Sequence, residues 1–590
     1  MKKISFAKIA VKVISLYVKA VPFHSVISFS FAVGHALTWT FGTIATQLLF
    51  DAISAAANGQ AGFSQCLTPL LMLAGITFGR QIADGGFYFH FFNVLSLKAA
   101  GKIKTILHHK LQHIDPAVFE DTAFLDDLNK SKEGINSLSY FYFICITLVG
   151  FYGVYFTSIG VYLFSLKPIL VISLLISFIP AILSQAMIVK VFTKLEEESA
   201  PLRRENEYYQ KTLCDREYLK ETRILGAFKF FHKLFSGTLL VLSNKRWKAE
   251  KKTALLWLLC SSTTFAGLAV SVYLLFTATM AGEISIGAFA AVFTALGQIF
   301  ALMVEIISHR ISNMNREIGK VTNFISMLDM PERTGSSDTP DFSKGVVAHN
   351  VSFTYPGRDL PAVKNVSLTL ADGETIAIVG ENGAGKSTLV RLLTGIYRPL
   401  EGKVTIGGLD TAETSPASVY QNTSGVFQKY QRYKMTLNEN VAISGTETEV
   451  DTAKVQSALR EAGAELEGVK LDDMLSPEFD GLDLSGGQWQ RLAIARGLYR
   501  TNRFIILDEP TAAIDPIEET RVYTQFQKLA ADKCAVVVTH RLGSAKLAHR
   551  IIVMDNGEIV DIGTHDELLS RPGKYADMWA AQAKWYERQL

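Results

Sequence analysis

Residues 380–388, Gly-Glu-Asn-Gly-Ala-Gly-Lys-Ser-Thr, set three glycines before a lysine and two hydroxyls, directly after an apolar β-type run at 375–379. In the pattern G-x-x-x-x-G-K-[ST] the backbone N–H groups turn inward around phosphate oxygens where a helix begins. On that reading Gly380, Glu381, Asn382, Gly383, Ala384, Gly385, Lys386, Ser387 and Thr388 cradle a nucleotide. Lys386 reaches the β- and γ-phosphates and Ser387 coordinates magnesium. The plainer alternative is a glycine turn joining a strand to a helix. Two more places carry chemistry. The apolar run 504–507 ends in Asp508-Glu509, so both carboxylates emerge at the end of a strand, where open α/β sheets bind ligands. Asp508 suits a magnesium shell and Glu509 the proton of an attacking water. Leu484-Ser485-Gly486-Gly487-Gln488 opens a helix bearing Arg491 and Arg496, and it offers N–H groups and a hydroxyl to an anion. A domain that already owns a phosphate loop has little use for a second anion-binding helix start, so this one is expected to serve another subunit's nucleotide.

Holding these groups requires a sheet with helices around it. From about 345 to 590, β-type runs at 375–379, 504–507, 535–538 and 551–554 alternate with amphipathic helical stretches. That alternation predicts an α/β domain with a largely parallel sheet. Residues 331–344, Pro-Glu-Arg-Thr-Gly-Ser-Ser-Asp-Thr-Pro and onward, are polar and rich in turn formers and read as a linker.

Residues 1–330 are of another kind. The chain of 590 residues is 48% hydrophobic, too long for one ordinary domain and too apolar for a wholly soluble one. No Lys, Arg, Asp or Glu occurs from 20 to 50, more than the roughly 20 residues needed to cross a bilayer. Further runs at 62–97, 136–164, 168–189, 253–280 and 284–307 predict an all-α polytopic domain of about six spans in a lipid bilayer. Basic residues cluster at the N-terminus, at 98–110 and at 190–252, whereas the opposite loops offer Asp51, Lys167 and Glu283. By the positive-inside rule both termini are cytoplasmic. The polar connections 98–133 and 190–252 are expected to be helices that continue beyond the membrane, with solvated hairpins as the alternative. Arg80 and Asp84 lie on one helix face at membrane depth. They line a substrate path or form a helix-to-helix ion pair with only a packing role. The aromatic run 87–92 covers every face of its helix and suits lipid contact and packing. Five scattered cysteines without CxxC or Cys/His spacing give neither a disulfide framework nor a zinc site. A net charge of +3 with no charged tail gives no sign of nucleic acid as a partner. The basic N-terminus precedes an apolar run too long for a signal-peptide core, so it is expected to remain as an anchor.

The set GENGAGKST, Phe427-Gln428, LSGGQ, FIILDEP, Ala513-Ile514-Asp515 and Val538-Thr539-His540 resembles, in order and spacing, the nucleotide-binding domain of ATP-binding cassette transporters. With about six spans ahead of one cassette, the whole chain resembles a half-transporter of the exporter fold. The resemblance implies ATP and magnesium as ligands and two cassettes that sandwich two ATP molecules head to tail. It implies that Tyr355 stacks on adenine, with a core tyrosine as the alternative. It further implies that Gln428 senses magnesium and water, that His540 contacts the γ-phosphate and that Asp515 works across the dimer interface. Ser485, Gly486, Gly487 and Gln488 would bind the partner's nucleotide. Coupling helices are expected near 119–128 and 215–225.

Where many exporters carry Thr-x-Val-Gly-Glu-x-Gly before the signature, this chain has Ser476-Pro-Glu-Phe-Asp-Gly-Leu, in which Glu478 or Asp480 is left to supply the carboxylate. The variant Phe479-x-Gly-x-x-LSGGQWQ, the stretch Phe119-Glu-Asp-Thr-Ala-Phe-Leu-Asp-Asp and the terminal Gln582-Ala-Lys-Trp-Tyr are similar to a bacterial branch that includes lantibiotic and other peptide exporters. No cysteine-peptidase domain precedes the first span, so leader cleavage is not expected. The resulting expectation is an ATP-hydrolysing exporter in a bacterial plasma membrane, with a homodimer favoured over a heterodimer and a peptide as cargo. Its rivals are a lipid flippase, a multidrug exporter, an importer using the same fold and an ATP-driven regulator that moves nothing.

Overall fold

The computed structural model describes residues 6–60, 62–445, 449–500, 502–509, 523, 526–527 and 530–587. The chain divides into two compact units, one formed by residues 1–108 and 127–329, the other by 109–126 and 330–590.

The first unit is helical. Among the described residues, five stretches are long and apolar enough to cross a membrane: Phe63–Gln112, Thr122–Leu166, Pro168–Glu196, Phe228–Met280 and Ile286–Ile311. The expected first span is also present as one helix, Pro22–Ala57, of 36 residues. At 1.5 Å per residue it is about 54 Å long. It does not rank with the other five by hydropathy because its buried face is built from Ser25, Ser28, His35, Thr40 and Thr43 among alanines. The ionisable residues expected on the side away from the basic loops gather at one end of the unit. Lys167 pairs with Glu283, and Asp51 accepts from the Ser285 hydroxyl and from the Gly287 N–H at 2.9 Å.

The second unit carries two sheets. Val346–Phe353 (β1), Val363–Leu370 (β2), Glu401–Ile406 (β4) and Leu409–Asp410 (β5) form an antiparallel sheet in the order β2-β1-β4-β5. Thr375–Gly380 (β3), Thr423–Val426 (β6), Phe504–Asp508 (β7), Cys534–Val538 (β8), Arg550–Asp555 (β9) and Glu558–Gly563 (β10) form the other, ordered β10-β9-β3-β8-β7-β6. Its β9, β3, β8, β7 and β6 run parallel. β3, β7 and β8 are buried along their whole length. Continuous apolar runs of this kind are what a sheet covered on both faces requires.

The stretch expected to link the halves is not a loose tether. Arg333 is buried, and its guanidinium donates to the carbonyls of Gly395 at 2.7 Å, Ile396 at 3.1 Å and Thr411 at 3.2 Å. Its N–H donates to the carbonyl of His113, and Ser336 bridges to Thr414. Residues 330–344 are therefore a strap on the cassette unit. Arg333→Ala strips those carbonyls of a charged donor, a loss of roughly 2–4 kcal/mol. The unfolding transition of the purified chain, followed by calorimetry, should fall by several degrees. An unchanged transition would mean the strap is held by something else.

Candidate functional site

The site forms where three parallel strands end at one level. Ile378 of β3 and Asp508 of β7 both lie beside Val538 of β8, and Gly380 lies beside Met554 of β9. From β3 the chain turns through residues 380–385 into the helix Lys386–Leu393. Gly383 and Gly385 have φ of 85° and 96°, in the left-handed region that favours glycine. A Cβ at Gly385 would also collide with the Ala362 carbonyl oxygen. Ala384 is buried, while Glu381, Asn382 and Gly383 face outward.

Lys386 is buried and curls over its own loop, donating to the carbonyls of Gly380 at 3.0 Å and Glu381 at 2.9 Å. Burial lowers its pKa, against the pull of Glu509 and Asp508. The Ser387 hydroxyl donates to Asp508 Oδ1 at 3.3 Å. Burial and the neighbouring Glu509 hold the Asp508 carboxyl above its usual range. Glu509 sits at the turn after β7 with φ of 46°. One of its oxygens accepts from Gln428 Nε2 at 2.7 Å, and the other pairs with His540 Nε2. Burial and the Lys386 cation push the His540 pKa below its ordinary value. Lys386, Ser387, Asp508, Glu509, Gln428 and His540 are thus brought together from β3, β7, β8 and the loop after β6. Ser387, Asp508 and the amide oxygen of Gln428 are hard oxygen donors, which suit a small divalent cation that completes its shell with water and phosphate.

Tyr355 reaches the same loop by its hydroxyl, 2.9 Å from Thr388 Oγ1, while its ring meets Phe353 and Tyr397 edge-on. The other segment expected to bind an anion, 485–488, is also formed as a helix start. Ser485 caps the helix Gly486–Tyr499 in a reciprocal capping box with Gln488. Among the described residues no hydrogen bond or ion pair joins 485–488 to the phosphate loop, Asp508, Glu509, Gln428 or His540. Asp515 lies outside the described residues. Glu478, one of two candidate carboxylates before the signature, pairs with Lys434.

Two contacts had no signal in the sequence. Gln582, from the C-terminal helix, accepts from the Leu542 N–H and donates to the His540 carbonyl, which steadies the turn carrying His540. Tyr430, two residues after Gln428, donates to the Gly486 carbonyl at 3.0 Å and so ties that loop to the signature helix. The segment 109–126, expected to supply the first coupling helix, belongs to the cassette unit. Its Glu120 accepts from Tyr397 Oη at 2.5 Å and from Arg391 at 3.3 Å, and Arg391 also donates to Tyr355 Oη at 3.2 Å. The second expected coupling segment, Arg216–Ile224, lies in the helical unit. In that unit Asp84 faces His35 at 3.5 Å and Arg80 lies over the Trp39 ring at 5.2 Å, so the two are not an ion pair with each other.

Such a site, a phosphate loop with a strand-end carboxylate pair and a separate capped signature helix, defines a nucleotide-binding cassette, here fused to long apolar helices. Residues 363–512 match the family described as ABC transporter. The chain is 35% identical over 319 residues to the subtilin transport ATP-binding protein of Bacillus subtilis, covering 52% of each chain. It is 38% identical over 235 residues to the ATP-dependent lipid A-core flippase of Escherichia coli K12, covering 40% of each. The matched region spans about half or less of these curated relatives. A bacterial Atm1-family ABC exporter with ATP bound has the same fold, with a TM-score of 0.77 and 22% identity over 94% of this chain and 100% of that one. Residues 363–512 thus carry an ABC transporter cassette, and the chain as a whole shares the fold of that exporter.

The capping box makes the signature serine testable. Ser485→Ala should cost about 1 kcal/mol of stability and Ser485→Gly only a few tenths. If Ser485→Gly melts like the parent yet fails to hydrolyse ATP, the hydroxyl serves the nucleotide; full turnover in that variant would leave it only a cap.

Proposed function

We propose that two copies of this chain form an exporter that binds two ATP molecules between their cassettes and uses hydrolysis to move cargo outward across a bacterial plasma membrane, with cassettes and both termini in the cytoplasm. The observation that carries this reading is the convergence of Lys386, Ser387, Asp508, Glu509, Gln428 and His540 at one sheet edge, in a chain that also has membrane-length helices. In each composite site Lys386, Gly380–Thr388 and His540 bind the phosphates, and Tyr355 the adenine. Ser485, Gly486, Gly487 and Gln488 come from the other copy, with Asp515 at the interface. Ser387, Asp508 and Gln428 would hold magnesium, whose charge neutralises the phosphate oxygens. Glu509 takes the proton of the attacking water while Gln428 and His540 orient its carboxylate. Each kind of residue needed for a composite site is present in this one sequence, which supports a homodimer.

A peptide is the cargo favoured here, supported by the likeness to the subtilin transport protein and, at 35% identity over 239 residues, to the nisin transport ATP-binding protein of Lactococcus lactis. The likeness to the lipid A-core flippase makes a lipid the second reading.

Glu509→Gln should still bind ATP and lose hydrolysis by roughly 10²- to 10⁴-fold, the usual worth of a general base. Near-normal phosphate release by the purified variant would remove Glu509 from that role. The pH profile tests His540. With its pKa held below the ordinary 6.5 or so, the imidazole is neutral at pH 7 and gains its proton only at lower pH. Hydrolysis should therefore change by less than about twofold between pH 8 and 7, and His540-dependent loss should begin below the ordinary histidine range. A decline already complete at pH 7, and absent in His540→Asn, would contradict this assignment.

A further inference from the structure

Between helices Pro22–Ala57, Phe63–His90 and Ile286–Val304 lies a cavity of about 180 Å³. Hydroxyls dominate its wall. Thr38, Thr43, Thr46, Thr77 and Thr294 each donate their proton to a carbonyl three or four residues back on their own helix, at 2.7–3.2 Å. With those protons spent, the oxygens present lone pairs to the cavity, so this part of the wall accepts hydrogen bonds and does not give them.

One charged residue, Arg80, stands in the wall. Its guanidinium lies over the Trp39 ring, and among the described residues nothing accepts a hydrogen bond from it. Asp84, one turn along the same helix, is engaged elsewhere. The Trp39 indole donates to His35 Nε2 at 2.9 Å. An indole N–H can only donate. His35 Nε2 is therefore the acceptor, the proton of a neutral His35 sits on Nδ1, and Nδ1 faces Asp84 at 3.5 Å. The tryptophan thus sets the histidine tautomer, the histidine occupies the acid, and Arg80 keeps its donors for something that enters the cavity. At membrane depth such a cation is costly and its unspent donors are the strongest on the wall.

We infer that this cavity is a cargo subsite for a carboxylate borne on a peptide segment, with Arg80 as the cation that recognises it. The complement of the wall decides the class. One guanidinium balances one carboxylate and matches its two oxygens. The row of threonine acceptors requires N–H donors beside that carboxylate, which a peptide backbone supplies. A phosphodiester with acyl chains is rich in acceptors and would set acceptor against acceptor along the threonines. Gln298, with an amide that both gives and accepts, can pair with a peptide unit. The inference rests on the export reading and narrows its cargo to acidic peptides.

The test uses the full chain in phosphatidylcholine nanodiscs with two amphipathic probe peptides that differ only in carrying two glutamates or two glutamines. The glutamate peptide should stimulate ATP hydrolysis at roughly tenfold lower concentration, the worth of a charge-assisted hydrogen bond. Arg80→Gln should abolish that preference and Arg80→Lys should keep part of it. Equal half-maximal concentrations for the two peptides in the unmodified chain overturn the inference, whatever the variants do, while leaving peptide export intact. Stimulation by phosphatidylglycerol without discrimination between the peptides overturns it in favour of a lipid headgroup. ATP hydrolysis that ignores both peptides overturns it together with the peptide-export reading.

Discussion

The cassette depends on keeping one lysine charged and fixed at the edge of a parallel sheet. Lys386 is buried, its ammonium held by the carbonyls of Gly380 and Glu381 with the carboxylates of Asp508 and Glu509 close enough to favour the charge. Desolvation works against that charge, and the net result is a lowered pKa. On the proposed reading, a lysine in this balance gains more from an approaching phosphate than an exposed one would, because the cost of removing it from water has been met by the fold. The rest of the second unit follows from this need. The strand register brings the ends of β3, β7 and β8 level, and the left-handed glycines let the loop fold back over the lysine.

The phosphate loop, Asp508-Glu509 and the signature could be read from the sequence because their chemistry is written in consecutive residues after apolar runs. His540 and Gln428 were legible only as members of an ordered set. Nothing local announces that Gln582 grips the His540 turn, that Tyr430 ties its loop to Gly486, or that Arg333 fastens a polar, turn-rich stretch onto the cassette. Those contacts span tens of residues and involve types common on any surface. The helix Pro22–Ala57 was legible by the length of its uncharged run, yet its hydroxyls and histidines, which hydropathy counts against it, are the part that faces its neighbours. The spacing of Arg80 and Asp84 puts them on one helix face, but the tryptophan and histidine that engage them come from another helix.

Glu120 shows how little chain is needed to join a polar connection to nucleotide chemistry. Its carboxylate takes Tyr397 and Arg391, Arg391 reaches the Tyr355 hydroxyl, and that hydroxyl meets Thr388 at the end of the phosphate loop. The half-exposed ion pair on its own adds little stability. Its value is geometric, since Tyr397 is stacked on Phe353 in the core and so gives segment 109–126 a rigid point of attachment.

The back-bonded threonines also bear on how the chain enters a lipid phase. A helix that must wait for a neighbour to satisfy its hydroxyls carries an unpaid polar burden through the translocation machinery. In Pro22–Ala57 the protons of Thr38, Thr43 and Thr46 are already bonded within the helix, which lowers the polar cost of entering the bilayer and leaves Ser28 and Thr40 to bond with His90 and Ser158 of neighbouring helices. A polar chamber can in this way be assembled from parts that each insert at a lowered polar cost, and biogenesis need not compete with function for the same side chains.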